Sequence, residues 1–323
     1  MVAPPAGHTG SATLTAPPAA ASRHDPLVLD LDEPGAASVR LAGGKAAGLH
    51  ALRAAGLPCP GGVVVTTSAY RRSGACPGTP VPDLPAELAT RLDALARDTL
   101  AAEATRLGGD GTFAVRSSAP GEDGQHRSYA GLHATFLGVP AGGVPQAVRD
   151  CWASLWSQRA QDYRATGAAA DGAGAAGTAG DPAGPDPLAP PQHAGAAEGM
   201  AVVVQPLLPA VAAAVVFTRD PVGDPATLRV ELTAGLGDRL VAGEVDADSY
   251  QLDRISLRVN ACELASNGDG APVGAAQVRA LAELCLRAER SLDRGPLDIE
   301  SAYVAGHGWL LLQARPITTL SPA

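Results

Sequence analysis

The residues best placed to do chemistry stand near the C-terminal end. Leu297 to Val304 and Trp309 to Arg315 are strand-like, and Ala305-Gly306-His307-Gly308 between them is a plausible four-residue turn whose glycines tolerate positive φ. Pairing Val304 with Trp309 sets Glu300 opposite Gln313 and Asp298 opposite Arg315, and strand alternation turns these four to one face. Leu297, Ile299, Tyr303, Leu312 and Ala314 fall on the other face, the expected core side. A carboxylate beside an amide oxygen suits Mg²⁺, which takes one or two protein ligands and completes its shell with phosphate oxygens. Arg315 could grip such a phosphate through paired hydrogen bonds. The same residues also fit a plain surface hairpin with an Asp298–Arg315 cross-strand ion pair, worth under ~1 kcal/mol when exposed.

A second group lies in the first half of the chain. Gly43-Gly44-Lys45 precedes a helical pattern and could offer backbone N–H groups and an ammonium to a phosphate, although the G-x-x-x-x-G-K-[ST] spacing of a P-loop is missing. Arg116 ends an apolar strand and is followed by Ser117-Ser118, a cation beside two small hydroxyls. Gly121 and Gly124 flank Glu122-Asp123 in a loop that could close over a ligand; the alternative is a solvated loop with Arg116 paired to Glu122 or Asp123. Gly131 and Thr135 bracket the next strand, where a glycine permits close approach and a hydroxyl can donate. Gln205 ends an apolar strand and either meets a ligand or reaches water.

The elements that must position these groups follow from periodicity. A helix is expected from Lys45 to about Ala55, stopped by Gly56 and Pro58, then a strand over 62–67 with Ser68 capping a short helix. Leu88, Leu92, Leu95 and Leu107 mark a helix from Pro85 to Gly108. Strands are expected over 112–117 and 132–139, and a helix over 144–164 with Val148, Trp152, Leu155 and Arg159 on one face. Beyond it come strands over 200–205, 211–218 and 228–233. A helix over 275–292 turns Val278, Leu281, Cys285 and Leu292 inward, and the closing hairpin follows it. Antiparallel hairpins mixed with helices indicate an α+β fold.

Composition bounds the partners. With 46% hydrophobic residues the chain can bury a sizeable core, and with only 3% aromatics that core must be Val, Leu and Ala. A formal charge of -9 argues against nucleic acid or an anionic membrane as main partner, though not against an anion held in a local basic pocket. Five scattered cysteines without a C-x-x-C pair indicate reduced thiols, and the absence of a secretory signal or a long apolar run indicates a cytoplasmic protein. Residues 1–25 and 165–199, rich in Ala, Gly and Pro, are predicted to be a disordered tail and a flexible insert, leaving lobes at 26–164 and 200–320.

Six stretches together resemble the ATP-binding domain shared by phosphoenolpyruvate synthase, pyruvate phosphate dikinase and the rifampin phosphotransferases. They are LAGGKAAGLHALRAAGLPCPGGVVVTTSAY, FAVRSSAPGEDGQHRSYAGLHATFLGV, CWASLWSQRAQDYR, MAVVVQPLLPAVAAAVVFTRDPV, ELTAGLGDRLVAGEVDADSY and PLDIESAYVAGHGWLLLQARPIT, collinear over most of residues 37–320. The resemblance implies an ATP-grasp-like fold with nucleotide between two lobes. By it Lys45, Arg116, Gly131 and Thr135 would face the phosphates of ATP, and Gln205 would lie near base and ribose. Glu300 and Gln313 would hold Mg²⁺, Arg315 would contact phosphate, and Lys45, Arg116 and Arg315 would be the catalytic cations. It further implies phosphoryl transfer to a histidine on a swivelling carrier domain. None of the seven histidines has the carrier's Gly-Gly context, His50, His133 and His307 included, so that histidine is expected on a separate polypeptide. A direct small-molecule kinase and a non-catalytic nucleotide-binding module are the other functions the resemblance allows. The sequence departs from the family at Ala213-Ala214, where Ser-Gly is usual, at Arg219, and in the insert.

Overall fold

The computed structural model describes residues 25–75, 80–120, 134–155, 199–266 and 270–317. Residues 1–24, the loop carrying Gly121, Glu122, Asp123, Gly124, Gly131 and His133, Arg159, and the insert up to residue 198 lie outside them. The described chain is α+β, as expected. A five-stranded sheet contains β1 (Val28–Asp30), β2 (Val63–Val65), β3 (Phe113–Ser118), β4 (Thr135–Val139) and β5 (Ala201–Pro206), in the order β1-β2-β5-β3-β4. A six-stranded sheet contains β6 (Ala210–Phe217), β7 (Thr227–Ala234), β8 (Asp248–Asp253), β9 (Val259–Glu263), β10 (Leu297–Val304) and β11 (Gly308–Pro316), in the order β11-β10-β6-β7-β8-β9. All neighbouring strands are antiparallel.

The strand expected over 200–205, at the start of the second lobe, does not share a sheet with the strands that follow it. The strand opening the second half of the sequence, β5, belongs to the first sheet, wedged between β2 and β3. Both of its faces are covered: Met200, Val202 and Val204 join one cluster, Ala201 and Val203 another. A strand buried on both faces must be a continuous apolar run. That composition identifies a central strand and says nothing about which sheet holds it.

Helices cover the sheets. α1 (Val39–Ala54) packs Leu41, Ala42, Ala46 and Leu49 on the first sheet, while its last turn sends Leu52 into the core of the second. α2 (Thr67–Ser73) is capped by Thr66, whose Oγ1 accepts from Ala69 N–H at 3.3 Å. Ser68, the expected cap, lies inside the helix and bonds Asp25 instead. The helical stretch begun by α3 (Ala86–Leu95) runs through a π turn at Ala96–Leu100 into α4 (Ala101–Arg106). The wide turn keeps a spacing of four in phase. Leu88, Leu92, Ala96, Leu100 and Ala104 are therefore buried, and Leu95 only partly. α5 (residues 144–155) buries Val148 and Trp152 beside them, and the Trp152 indole donates to Met200 O at 3.0 Å. α6 (Asp238–Val241) is a single turn after Gly237. α7 (Ala275–Leu292) has the predicted bounds and presses Val278, Leu281 and Cys285 onto the second sheet.

Strands β1, β8 and β9 were not expected. β9 is exposed along its length and β8 buries only Asp248 and Leu252 fully, so neither carries an apolar alternation. Among the described residues no helix is long and apolar enough to cross a membrane.

Candidate functional site

The closing hairpin sets Glu300 opposite Gln313 and Asp298 opposite Arg315, the expected pairs, by a different route. Val304 pairs with Gly308 rather than Trp309, so the turn is one residue shorter than expected. Carried on unbroken, that register would place Glu300 against Leu312 and turn Gln313 into the core. A bulge opposite Glu300/Ser301 absorbs Leu312 and restores the pairing. Two faces consequently trade residues. Leu311 is the one buried in the core with Ile299, Trp309 and Ala314, whereas Leu312, expected there, packs with Leu310 and Ala302 on the opposite face. The Asp298–Arg315 pair forms, with Nε donating to Oδ2 at 2.9 Å. Glu300 has no hydrogen-bond or ion-pair partner among the described residues.

Lys45 and Arg116 are brought together by the junction of α1 and β3. The helix starts at Val39, earlier than expected, and is kinked at Gly43, where φ is +79°. Lys45 is only 8% exposed, and its Nζ donates to Ser117 O at 2.9 Å. Of the backbone donors expected to face an anion, that of Gly44 is already engaged, and so is the neighbouring one of Ala46. Gly44 N–H bonds Ala119 O at 3.0 Å, and Ala46 N–H bonds Ser118 Oγ at 3.1 Å. The serine hydroxyls are engaged too, donating to Ala134 O (Ser117) and Ala42 O (Ser118). What the junction brings to the cavity lining is the side-chain charge of Lys45 and Arg116. Arg116 pairs across the sheet with Thr135, and its Nε is buried without a hydrogen-bond partner among the described residues. Such an orphan donor costs stability unless something accepts from it.

Seven of the eight expected residues line one cavity of about 320 Å³: Lys45, Arg116, Thr135 and Gln205 from the first sheet and its helix, and Glu300, Gln313 and Arg315 from the second. The eighth, Gly131, is outside the described residues. Gln205 is 3% exposed and donates to Pro60 O at 3.1 Å. Gly62 makes room for it, since a Cβ there would stand 2.7 Å from Gln205 Cγ. The apolar part of the wall comes from Leu137, Leu208, Val215, Leu240 and Leu312, and Asp238 adds a carboxylate. Periodicity could not have marked these residues as site-lining: Leu137 and Val215 look like any strand residue, and Asp238 like an ordinary first-turn acid. Lys45 does carry one further signal in the sequence. Of the 24 Lys and Arg side chains it alone is lysine, a compact ammonium that is not interchangeable with a guanidinium.

The thiols nearby are not nucleophiles. Cys151 and Cys59 are pushed up to about 12, chiefly by burial, with Lys45 opposing the rise at Cys151 and Arg53 at Cys59. His50 lies away from the cavity lining, its Nδ1 2.8 Å from Leu31 O, in keeping with a structural role.

Comparisons with known proteins identify the family. Residues 81–269 match the family described as pyruvate phosphate dikinase, AMP/ATP-binding domain. The prodigiosin synthesizing transferase PigC of Serratia marcescens is 33% identical over 312 aligned positions, taking in 86% of this chain and 31% of that protein. A rifampicin phosphotransferase of Streptomyces sviceus is 33% identical over 340 positions, with 91% of this chain and 36% of that protein covered. A probable phosphoenolpyruvate synthase of Methanocaldococcus jannaschii is 30% identical over 342 positions, covering 90% and 26%. The chain thus spans about a third of the length of these curated relatives. Among solved structures, D-cycloserine synthetase DcsG aligns at 12% identity with a TM-score of 0.32, at which no common fold is implied. More than half of the chain falls within the matched family, and the protein belongs to the pyruvate phosphate dikinase AMP/ATP-binding domain family.

Proposed function

We propose that the protein binds Mg-ATP in the cavity between its two sheets, in an ATP-grasp-like manner, and passes a phosphoryl group to a histidine on a carrier domain outside these residues. The observation that carries this reading is convergence. Three cations from separate elements, Lys45, Arg116 and Arg315, share one cavity with the Glu300–Gln313 pair and an apolar wall. A triphosphate needs the first set and a purine the last.

Glu300 and Gln313 fit a magnesium ion: both offer hard oxygen, and the carboxylate has no competing partner among the described residues. Bound there, the ion would neutralise negative charge on the phosphates. The protein's own work is positioning. Arg116 brings its guanidinium to the phosphates from the first sheet, and Arg315, oriented by Asp298, meets the same chain of phosphates from the facing sheet. Lys45 adds a fixed positive charge, Thr135 a hydroxyl, and the leucine wall excludes water from the base. In this reading the accepting histidine comes from outside, since no described residue lining the cavity is a histidine.

The test is incubation with γ- and β-labelled ATP, alone and with a histidine carrier domain from a relative added as a separate polypeptide. Label appearing on the carrier histidine only when both proteins are present is the expected result. Label moving to water or a small molecule without a carrier would favour a direct kinase. Failure to bind Mg-ATP at millimolar concentration would remove the reading altogether.

A further inference from the structure

The kink of α1 is tied to the end of β3 around one hydroxyl. Ser118 Oγ donates to Ala42 O at 2.8 Å on one side of the kink and accepts from Ala46 N–H at 3.1 Å on the other. Ser118 is fully buried, so no water competes for either bond. Gly44 N–H adds a third tie, to Ala119 O. The approach is this close because position 43 has no side chain: a Cβ there would stand 2.1 Å from Ser118 O. Lys45 sits between the two tied amides of residues 44 and 46, with its Nζ returned to Ser117 O, one residue from Arg116.

A kinked helix turn without such ties can rotate, and a lysine side chain on it would sample many places. A lysine held at both backbone neighbours meets the ligand at one place. We infer that Ser118 is a positioning residue for the cavity's ammonium: its hydroxyl closes the α1 kink onto β3 and thereby holds Lys45 in the cavity. It touches no ligand itself. Its effect on nucleotide affinity rests on the proposed function, whereas its effect on Lys45 does not.

The single lysine of the sequence makes the test clean, because an amine-selective reagent can modify only Lys45 and the α-amino group. Acylation of Lys45 by N-hydroxysuccinimidyl acetate is followed by peptide mass spectrometry in nucleotide-free protein, against N-acetyl-lysine as reference. Ser118→Ala is expected to raise the Lys45 rate about tenfold and to weaken Mg-ATP binding by a similar factor, as loss of a charge-assisted contact would. In a Lys45→Met background the same substitution should change affinity by less than about twofold, because it acts through the missing ammonium. An unchanged Lys45 rate in Ser118→Ala, or an equal affinity loss in both backgrounds, overturns the inference. Should Ser118→Ala not fold, Ser118→Cys keeps a weak donor and acceptor and is expected to label at an intermediate rate. A wild-type rate there, or a native Lys45 as reactive as N-acetyl-lysine, also overturns it. If native protein fails to bind Mg-ATP, the functional reading falls while the labelling rates still decide the role of Ser118.

Discussion

Arg116 lines the cavity from within β3, after Phe113, Ala114 and Val115, and its buried Nε has no partner among the described residues. If phosphate is what accepts from it, Arg116→Ala should weaken Mg-ATP binding by ~1.5–3 kcal/mol, the range for a hydrogen bond to a charged group. Isothermal calorimetry reads this directly, and an unaltered dissociation constant would tell against contact with phosphate. Glu300 makes a second case. Its carboxylate has no partner among the described residues, so Glu300→Ala should cost little stability yet abolish magnesium-dependent turnover. Equal activity in mutant and native protein would count against a metal role. Both residues stand out in the sequence because a charge follows directly on an apolar residue of a strand, Val115 before Arg116 and Ile299 before Glu300. The serines after Arg116 have the same look of ligand-facing groups, but their hydroxyls are spent on backbone carbonyls.

At the scale of elements, α1 does most to build the cavity. Its first half packs on the first sheet, its last turn on the second, and two glycines let it approach both closely. A Cβ at Gly43 would overlap Ser118, and one at Gly48 would come to 3.1 Å from Ala314 O, next to Gln313. Gly43→Ala meets both a left-handed backbone and a backbone clash, so it should destabilise by about 3 kcal/mol or more. Gly142→Ala, with open space around it, should stay within ~0.5 kcal/mol of native. Urea denaturation compares the two, and similar midpoints would show that the kink is not strained by a side chain. α7 and β10 were legible to the residue because long amphipathic or alternating patterns leave few alternatives. The bulge at Leu312 was not, since an extra residue leaves no mark in apolar alternation when it falls in a run of leucines, Leu310 to Leu312.

For the whole molecule, two sheets with separate cores must keep their relation, and polar ties at α1 help. Arg53, in its last turn, donates through Nε and a terminal nitrogen to both oxygens of Asp32, and through the other nitrogen to Cys59 O. The hydrogen bond from Arg53 holds the Asp32 carboxyl below its usual range, and Arg106, with help from Gly61 N–H, does the same for Glu103. A carboxyl depressed in the folded state contributes stability above its unfolded value and loses it as pH falls through the folded one. The urea midpoint should therefore drop as pH is lowered below about 4, the unfolded carboxylate range. Asp32→Asn should flatten part of that drop. Since Asp32 is largely exposed, the effect will be modest and weaker in salt. An identical pH profile in the variant would remove the pair from the account.

Side-chain type and spacing determined on their own that this chain is α+β, where its long helix and closing hairpin run, and that Gln313 and Arg315 share a face, whereas the bulge at Leu312 is what sets Glu300 beside them. The properties so determined are local, settled by periods of 2 and 3.6 residues within one element. Only the tertiary structure decided that β5 joins the first sheet, that the amides after Gly43 are spent on β3, and that leucines of both sheets wall one cavity with the cations. Each depends on which surfaces meet, and an apolar run looks the same in sequence whichever partner buries it.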